Sequence, residues 1–190
     1  IVIDPDMKLL FQLDFNPGLD MLETSLREAP TVAGRIHAAA ALGKHGSARG
    51  IAAIEAAWTT ESHWGMRGEL AHILGRANTY AAAGALARRL LVEEDPRVMH
   101  SLCSAAGHYR DSRIASALEA WLTRSELPYR ASSEALISLG KQRKEEHLPT
   151  LERFATDSGW WGWVRRGALM GLGQSRAPQA LPLLRHISSE

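Results

Sequence analysis

Five glycines, Gly43, Gly75, Gly107, Gly140 and Gly173, recur at intervals of 32, 32, 33 and 33 residues. Each closes a small-and-apolar stretch: HAAAALG, AHILG, CSAAG, ALISLG and ALMGLG. Eleven residues beyond each glycine stands an aliphatic side chain, in turn Ile54, Leu86, Leu118, Leu151 and Leu184. A fixed period of this length means one supersecondary unit repeated along the chain, no copy able to bury its apolar face alone. Few architectures accept such a pattern, and a stack of helix pairs is one that does.

From Leu19 onward the spacing is helical. A first helix is predicted over about 19–28, with Leu19, Leu22 and Leu26 on one face. In each following pair, one alanine-rich helix ends at the framing glycine, a residue suited to a left-handed C-cap because it tolerates positive φ. The partner helix follows after a short turn at Gly46, Asn78, Asp111 and their equivalents, and carries an apolar face such as Ile51, Ile54, Trp58 or Ile114, Leu118, Trp121, Leu122. Ser62, Asp95, Asp111 and Ser158 are placed as N-caps, and Pro96, Pro128 and Pro178 as first helical residues. The expectation is an all-α superhelix of about 11 helices over residues 17–190.

Residues 1–16, IVIDPDMKLLFQLDFN, break this pattern. Val2 and Ile3, a turn-prone Asp4-Pro5-Asp6 and an alternating stretch to Phe15 predict two short strands, ended by Asn16-Pro17-Gly18. A lone hairpin is marginal in water. The segment must therefore either pack on the helices or belong to a preceding β domain, and the chain, which opens on Ile rather than Met, is read as a piece of a longer protein.

The formal charge is +1, so no global field recruits nucleic acid. A single cysteine, Cys103, excludes an intrachain disulfide and fits the cytoplasm, with a disulfide-free periplasmic protein as the alternative. No apolar run reaches membrane-spanning length.

The segments Met66-Arg67, Leu70-Ala71, Leu74-Gly75 and Val164-Arg165, Ala168-Leu169, Leu172-Gly173 follow the pattern Val-Arg-x-x-Ala-x-x-x-Leu-Gly, with Met66 and Leu70 in place of Val and Ala in the first, and resemble short HEAT-like repeats. Arg35, Arg67 and Arg165 each stand eight residues before a framing glycine, a place taken by Met99 and Ser132 in the middle repeats. The entry IVIDPDMKLLFQLDF, followed by VAGRIHAAAALGKHG and HWGMRGELAHILG, is similar to the C-terminal part of bacterial M1-family aminopeptidase-like proteins. That resemblance implies preceding zinc-catalytic and β-sandwich domains as partners on the same polypeptide, with residues 1–16 as the remnant of that β-sandwich and zinc confined to the missing catalytic domain. Neither the His-Glu-x-x-His zinc motif nor the Gly-x-Met-Glu-Asn motif occurs, so no catalytic residue transfers to this chain. The implied role is a non-catalytic scaffold that caps or gates the catalytic part, or docks a peptide or protein.

The residues that suggest a surface are aromatic. His63-Trp64-Gly65-Met66-Arg67 and Trp160-Trp161-Gly162-Trp163-Val164-Arg165 place indoles and arginines at the same helix entry in two repeats. Trp64, Arg67, Trp160, Trp161, Trp163 and Arg165 are the candidate binding surface, the competing assignment being packing between repeats. Eight histidines occupy different offsets in the repeat, without a His-Glu dipeptide, and do not form a metal motif. Lys44, Arg76, His108, Lys141, Arg110, Arg143 and Arg176 follow the framing glycines. They are read first as cations complementing helix C-termini, with an anion-binding ridge as the alternative. Two other functions remain as contrasts: a bilin-lyase-type HEAT-like subunit, and a nucleic-acid-binding HEAT-like protein, which needs a basic groove.

Overall fold

The computed structural model describes Lys8 and residues 17–124, 126–156 and 162–188. Apart from Lys8, the expected β entry at 1–16 lies outside the described residues, as do Trp160, Trp161 and Ser158. The rest is helical: α1 (Leu19–Glu28), α2 (Val32–His45), α3 (Ala48–Thr60), α4 (Trp64–Ala77), α5 (Tyr80–Val92), α6 (Pro96–Ala106), α7 (Ser112–Leu122), α8 (Tyr129–Gly140), α9 (Leu148–Ala155), α10 (Trp163–Ser175) and α11 (Leu181–Ser188). Short 3₁₀ turns, Glu145–His147 and Pro178–Ala180, lead into α9 and α11. This is the all-α solenoid that the period predicts.

The helices form two layers. In one, α2, α4, α6, α8 and α10 stack side by side; in the other α3, α5 and α7 do so, α1 covers the start, and α9 packs on α8 and α10. Between the layers runs a continuous core containing Leu42, Ile54, Leu74, Leu86, Leu102, Ile114 and Leu118, each fully buried. Each such side chain contributes about 1.5–3 kcal/mol on burial, and this repeated term holds the stack together. Trp58 and Trp121 are buried as well, filling the second layer.

Gly107 is the C-cap of α6, in right-handed geometry, and the other framing glycines do not cap their helices. Gly43, Gly75 and Gly173 lie inside α2, α4 and α10, Gly140 is the last residue of α8, and none of the five has positive φ. Most of them recur because neighbouring helices touch there. A Cβ on Gly43 would sit 2.6 Å from Ile73 Cγ2, one on Gly75 2.9 Å from Ala105 Cβ, and one on Gly107 2.6 Å from Ser138 Oγ. At Gly140 it would run into the backbone of Gly171, whereas Gly173 faces open space. The left-handed residues come three positions later, at Gly46, Asn78, Arg143 and Arg176. N-caps fall at Thr31, Ser47, Thr79, Asp95 and Asp111, each accepting a hydrogen bond from its own helix. Two expected positions shift by one residue: His63 rather than Ser62 precedes α4, and Pro128 caps α8 instead of opening it.

Polar clamps at one-repeat spacing fix how successive pairs sit. Tyr109 Oη donates to the Leu74 carbonyl at 2.6 Å, and Ser138 Oγ to the Cys103 carbonyl at 2.6 Å. Arg89, Arg113 and Arg124 donate to the carbonyls of Glu55, Tyr80 and Leu91. The carbonyls of Leu74 and Cys103, buried and satisfied by the next repeat, make the stacking register specific.

Candidate functional site

Because α4, α6, α8 and α10 belong to one layer and start at equivalent repeat positions, their first residues share an edge. Trp64 opens α4, Pro96 and Arg97 open α6, Tyr129 and Arg130 open α8, and Trp163 opens α10. Neither terminal indole is absorbed by the core: Trp64 is 42% exposed and Trp163 40%.

Arginines interleave these rings. The Arg97 guanidinium carbon lies 4.4 Å from the Trp64 ring centroid. Asp95 holds Arg97 from below at 2.8 Å and caps α6 through the Arg97 amide. The hydrogen bond from Arg97 lowers the Asp95 carboxyl pKa to about 2. Further along, Tyr129 and Trp163 lie 6.3 Å apart, with the Arg130 guanidinium 6.0 Å from one ring and 5.9 Å from the other. Arg166 approaches Trp163 from its own helix at 5.9 Å. His63 stacks on Trp64 at the opposite end, at 5.9 Å. Each cation–π contact at an exposed site is worth about 0.5–1 kcal/mol, enough to hold the side chains as a preformed strip.

Between Trp64 and Tyr129 the strip sinks into a cleft of about 350 Å³, walled by Pro96, Arg97, His100 and Pro128. Its chemistry is recognition: flat rings and prolines offer apolar faces, and guanidiniums attract carboxylates. Cys103 is fully buried, and burial pushes its thiol pKa well above the ordinary range. Among the described residues no three His, Cys, Asp or Glu side chains group as a metal site would require.

Of the six residues expected to form the surface, Trp64 and Trp163 belong to this strip, and Trp160 and Trp161 lie outside the described residues. Arg67 serves elsewhere. Its Nε lies 3.2 Å from Glu93 Oε2, and its Nη1 donates to the Glu61 carbonyl at 3.1 Å. Arg35 makes the corresponding pair with Glu61 at 3.2 Å. Glu93 is buried and also accepts from the Trp58 indole, so this arginine column ties the loops after α3 and α5 together. Arg165 is half-buried on α10.

Sequence reading missed Arg97, Tyr129, Arg130 and Arg166. A signal existed: ten or eleven residues before successive framing glycines stand Trp64, Pro96-Arg97, Tyr129-Arg130 and Trp163.

Comparison with known proteins agrees with the architecture. A family model described as HEAT repeats matches residues 128–190, which cover α8 to α11. A structure of the complex of CpcE and CpcF of phycocyanin lyase from Nostoc sp. is similar at 20% identity and a TM-score of 0.63, over 96% of this chain and 74% of that one. Human deoxyhypusine hydroxylase, in a complex with glycerol, is similar at 18% identity and a TM-score of 0.59, over 85% of this chain. The match spans 64% of the hydroxylase chain. At these identities the likeness is one of fold. No curated protein sequence matches the chain, and none of these comparisons points to an aminopeptidase.

Proposed function

We propose that this HEAT-like solenoid is a non-catalytic scaffold that grips an extended segment of a protein partner along the Trp64–Arg97–Tyr129–Arg130–Trp163 strip. The observation that carries the reading is the exposure of two indoles, each the first residue of its helix, joined by interleaved arginine and tyrosine. Aromatic and arginine side chains dominate binding hot spots because they bury much area at little entropic cost. Helices in one layer pack about 8–10 Å apart, so the strip from α4 to α10 is about 24–30 Å long. An extended chain of about eight or nine residues covers that length. Proline or aliphatic groups would lie on the rings and carboxylates beside Arg130 and Arg166.

Within this reading the partner is the preceding part of the same polypeptide, as the aminopeptidase-like resemblance of the entry implies. The test is a photo-crosslinking amino acid at Tyr129 in the intact gene product, with the joined peptides identified by mass spectrometry. Intrachain crosslinks to an upstream domain support a capping role, and crosslinks to a separate protein support a docking role. Absence of both sinks the scaffold proposal. Bound zinc and hydrolysis of aminoacyl reporter substrates by that gene product would support the peptidase parentage, and a zinc-free, inactive product would end it.

The likeness to the CpcE–CpcF complex favours one alternative, a subunit of a two-protein bilin lyase. That reading expects a shifted tetrapyrrole absorbance band when the pigment is added, and an unchanged spectrum removes it.

A further inference from the structure

The four helices that begin at the aromatic strip end, about 17–21 Å away, at a different kind of edge. Most arginines of this protein are engaged. Arg35, Arg49, Arg67, Arg88, Arg97 and Arg113 all pair with carboxylates. On the turn edge, by contrast, Arg110, Lys141, Arg143 and Arg176 make no ion pair among the described residues. His108, Arg110, Lys141 and Arg143 line one cleft of about 470 Å³ without a carboxylate among its walls. The nearby acidic groups are committed elsewhere: Asp111 to Arg113 at 2.7 Å, and Glu145 to the Gln179 amide at 3.0 Å.

Hydrogen bonds tie together the two turns that carry the cleft. Gln142 is buried, donates to the Tyr109 carbonyl at 2.9 Å and accepts from the Asp111 amide at 3.0 Å. This joins the turn after α6 to the turn after α8.

The backbone adds an independent sign. The first two repeats fill their left-handed turn position with Gly46 and Asn78, the residues that take it most readily. The fourth and fifth place Arg143 and Arg176 there, both at φ 56°. A long side chain at positive φ is strained by about 1 kcal/mol or more. Complementing a helix C-terminus explains one cation per helix, and a lysine in ordinary geometry would supply it. It does not explain several cations gathered on one cleft. Loss of solvent, followed by repulsion from Arg110 and Arg176, lowers the Arg143 pKa from the usual arginine value. The group is crowded by like charge.

We infer that the cleft walled by His108, Arg110, Lys141 and Arg143 binds a small ligand carrying adjacent phosphoryl groups. Two guanidinium forks and an ammonium match a dense, multiply charged oxyanion, and such forks pair with phosphate oxygens two at a time. The volume is that of a small-molecule pocket. The site is independent of the aromatic strip at the opposite ends of the same helices.

Titration calorimetry with sodium pyrophosphate and tripolyphosphate in low-salt buffer tests the inference. Saturable one-to-one binding is expected, and Arg143→Gly should weaken it about tenfold or more. Glycine accepts the left-handed turn without strain, so the melting temperature of that variant should hold or rise, separating lost binding from lost folding. Arg27→Ala, a control for general charge, should bind like wild type, as should Trp163→Ala. No saturable binding by the wild-type protein overturns the inference. So does undiminished affinity in Arg143→Gly, or affinity for single-stranded DNA without affinity for either phosphate.

Discussion

Gly140 and Gly173 occupy the same repeat position and look alike in sequence, yet alanine at the two sites should act in opposite directions. At Gly140 the added methyl meets the Gly171 backbone, and Gly171 in turn rests against the Leu136 carbonyl. Neither is the movable end of a side chain, so α8 and α10 must separate. Overpacking of this kind costs about 1–3 kcal/mol, and backbone contact places it at the upper end. Replacing a helical glycine returns about 0.5–1 kcal/mol, leaving Gly140→Ala destabilised by about 2 kcal/mol. At Gly173 nothing lies within 4 Å of the added methyl. Only the propensity gain remains, about 0.5–1 kcal/mol in favour of the variant. For a domain of this size each kcal/mol moves the melting temperature by about 2–4 °C. Gly140→Ala should therefore melt about 4–8 °C below wild type, and Gly173→Ala about 1–4 °C above it. Thermal unfolding followed by far-ultraviolet circular dichroism, with urea midpoints as a cross-check, gives the order. If Gly140→Ala melts with or above wild type, or Gly173→Ala falls as far as Gly140→Ala, close helix approach is not why these glycines recur.

Three further outcomes are expected. Arg67→Ala leaves the buried Glu93 carboxylate without its cation and should destabilise the protein by about 3 kcal/mol; an unchanged melting temperature would remove that role. The Asp95 carboxyl has a folded pKa of about 2, below the unfolded value of about 3.9. Its contribution is thus complete above about pH 4 and is lost as pH falls toward 2. Melting temperature should consequently depend less steeply on pH across that window in Asp95→Asn than in wild type, and equal slopes would contradict the assignment. Cys103, fully buried with its thiol pKa raised by burial and then by Glu134, should resist a thiol reagent at pH 8 until denaturant is added. Rapid native labelling would show that the α6 core opens.

Part of the candidate surface was legible because it repeats. Trp64 and Trp163 stand out as indoles at helix entries, and their repeat positions place them on one edge before any coordinate is known. Their arginine neighbours were harder to read. Arg67 lies one turn from Trp64 and carries the same charge as Arg97, yet α4 turns Arg67 toward Glu93, while Arg97, from the next repeat, covers the indole. Separation along the chain does not order these two contacts; stacking of α4 on α6 does.

The period, the helical faces of Leu22 and Leu26 or Ile114 and Leu118, and the alternation of small and bulky helices determined the solenoid from sequence alone, since burial must follow helical spacing whatever the partner. Chain direction settled some ends too, through caps such as Asp95 and Asp111, whose bonds are local. Tertiary structure alone decided the meaning of the framing glycines. A glycine can answer to its own φ or to a neighbour's proximity, and only the stack shows that Gly43, Gly75, Gly107 and Gly140 answer to proximity. It also decided which cations are paired. Arg88 finds Glu55 33 residues away, whereas Arg143 finds Arg110 and Arg176, because charge acts through space between elements that the stacking of the two layers brings together.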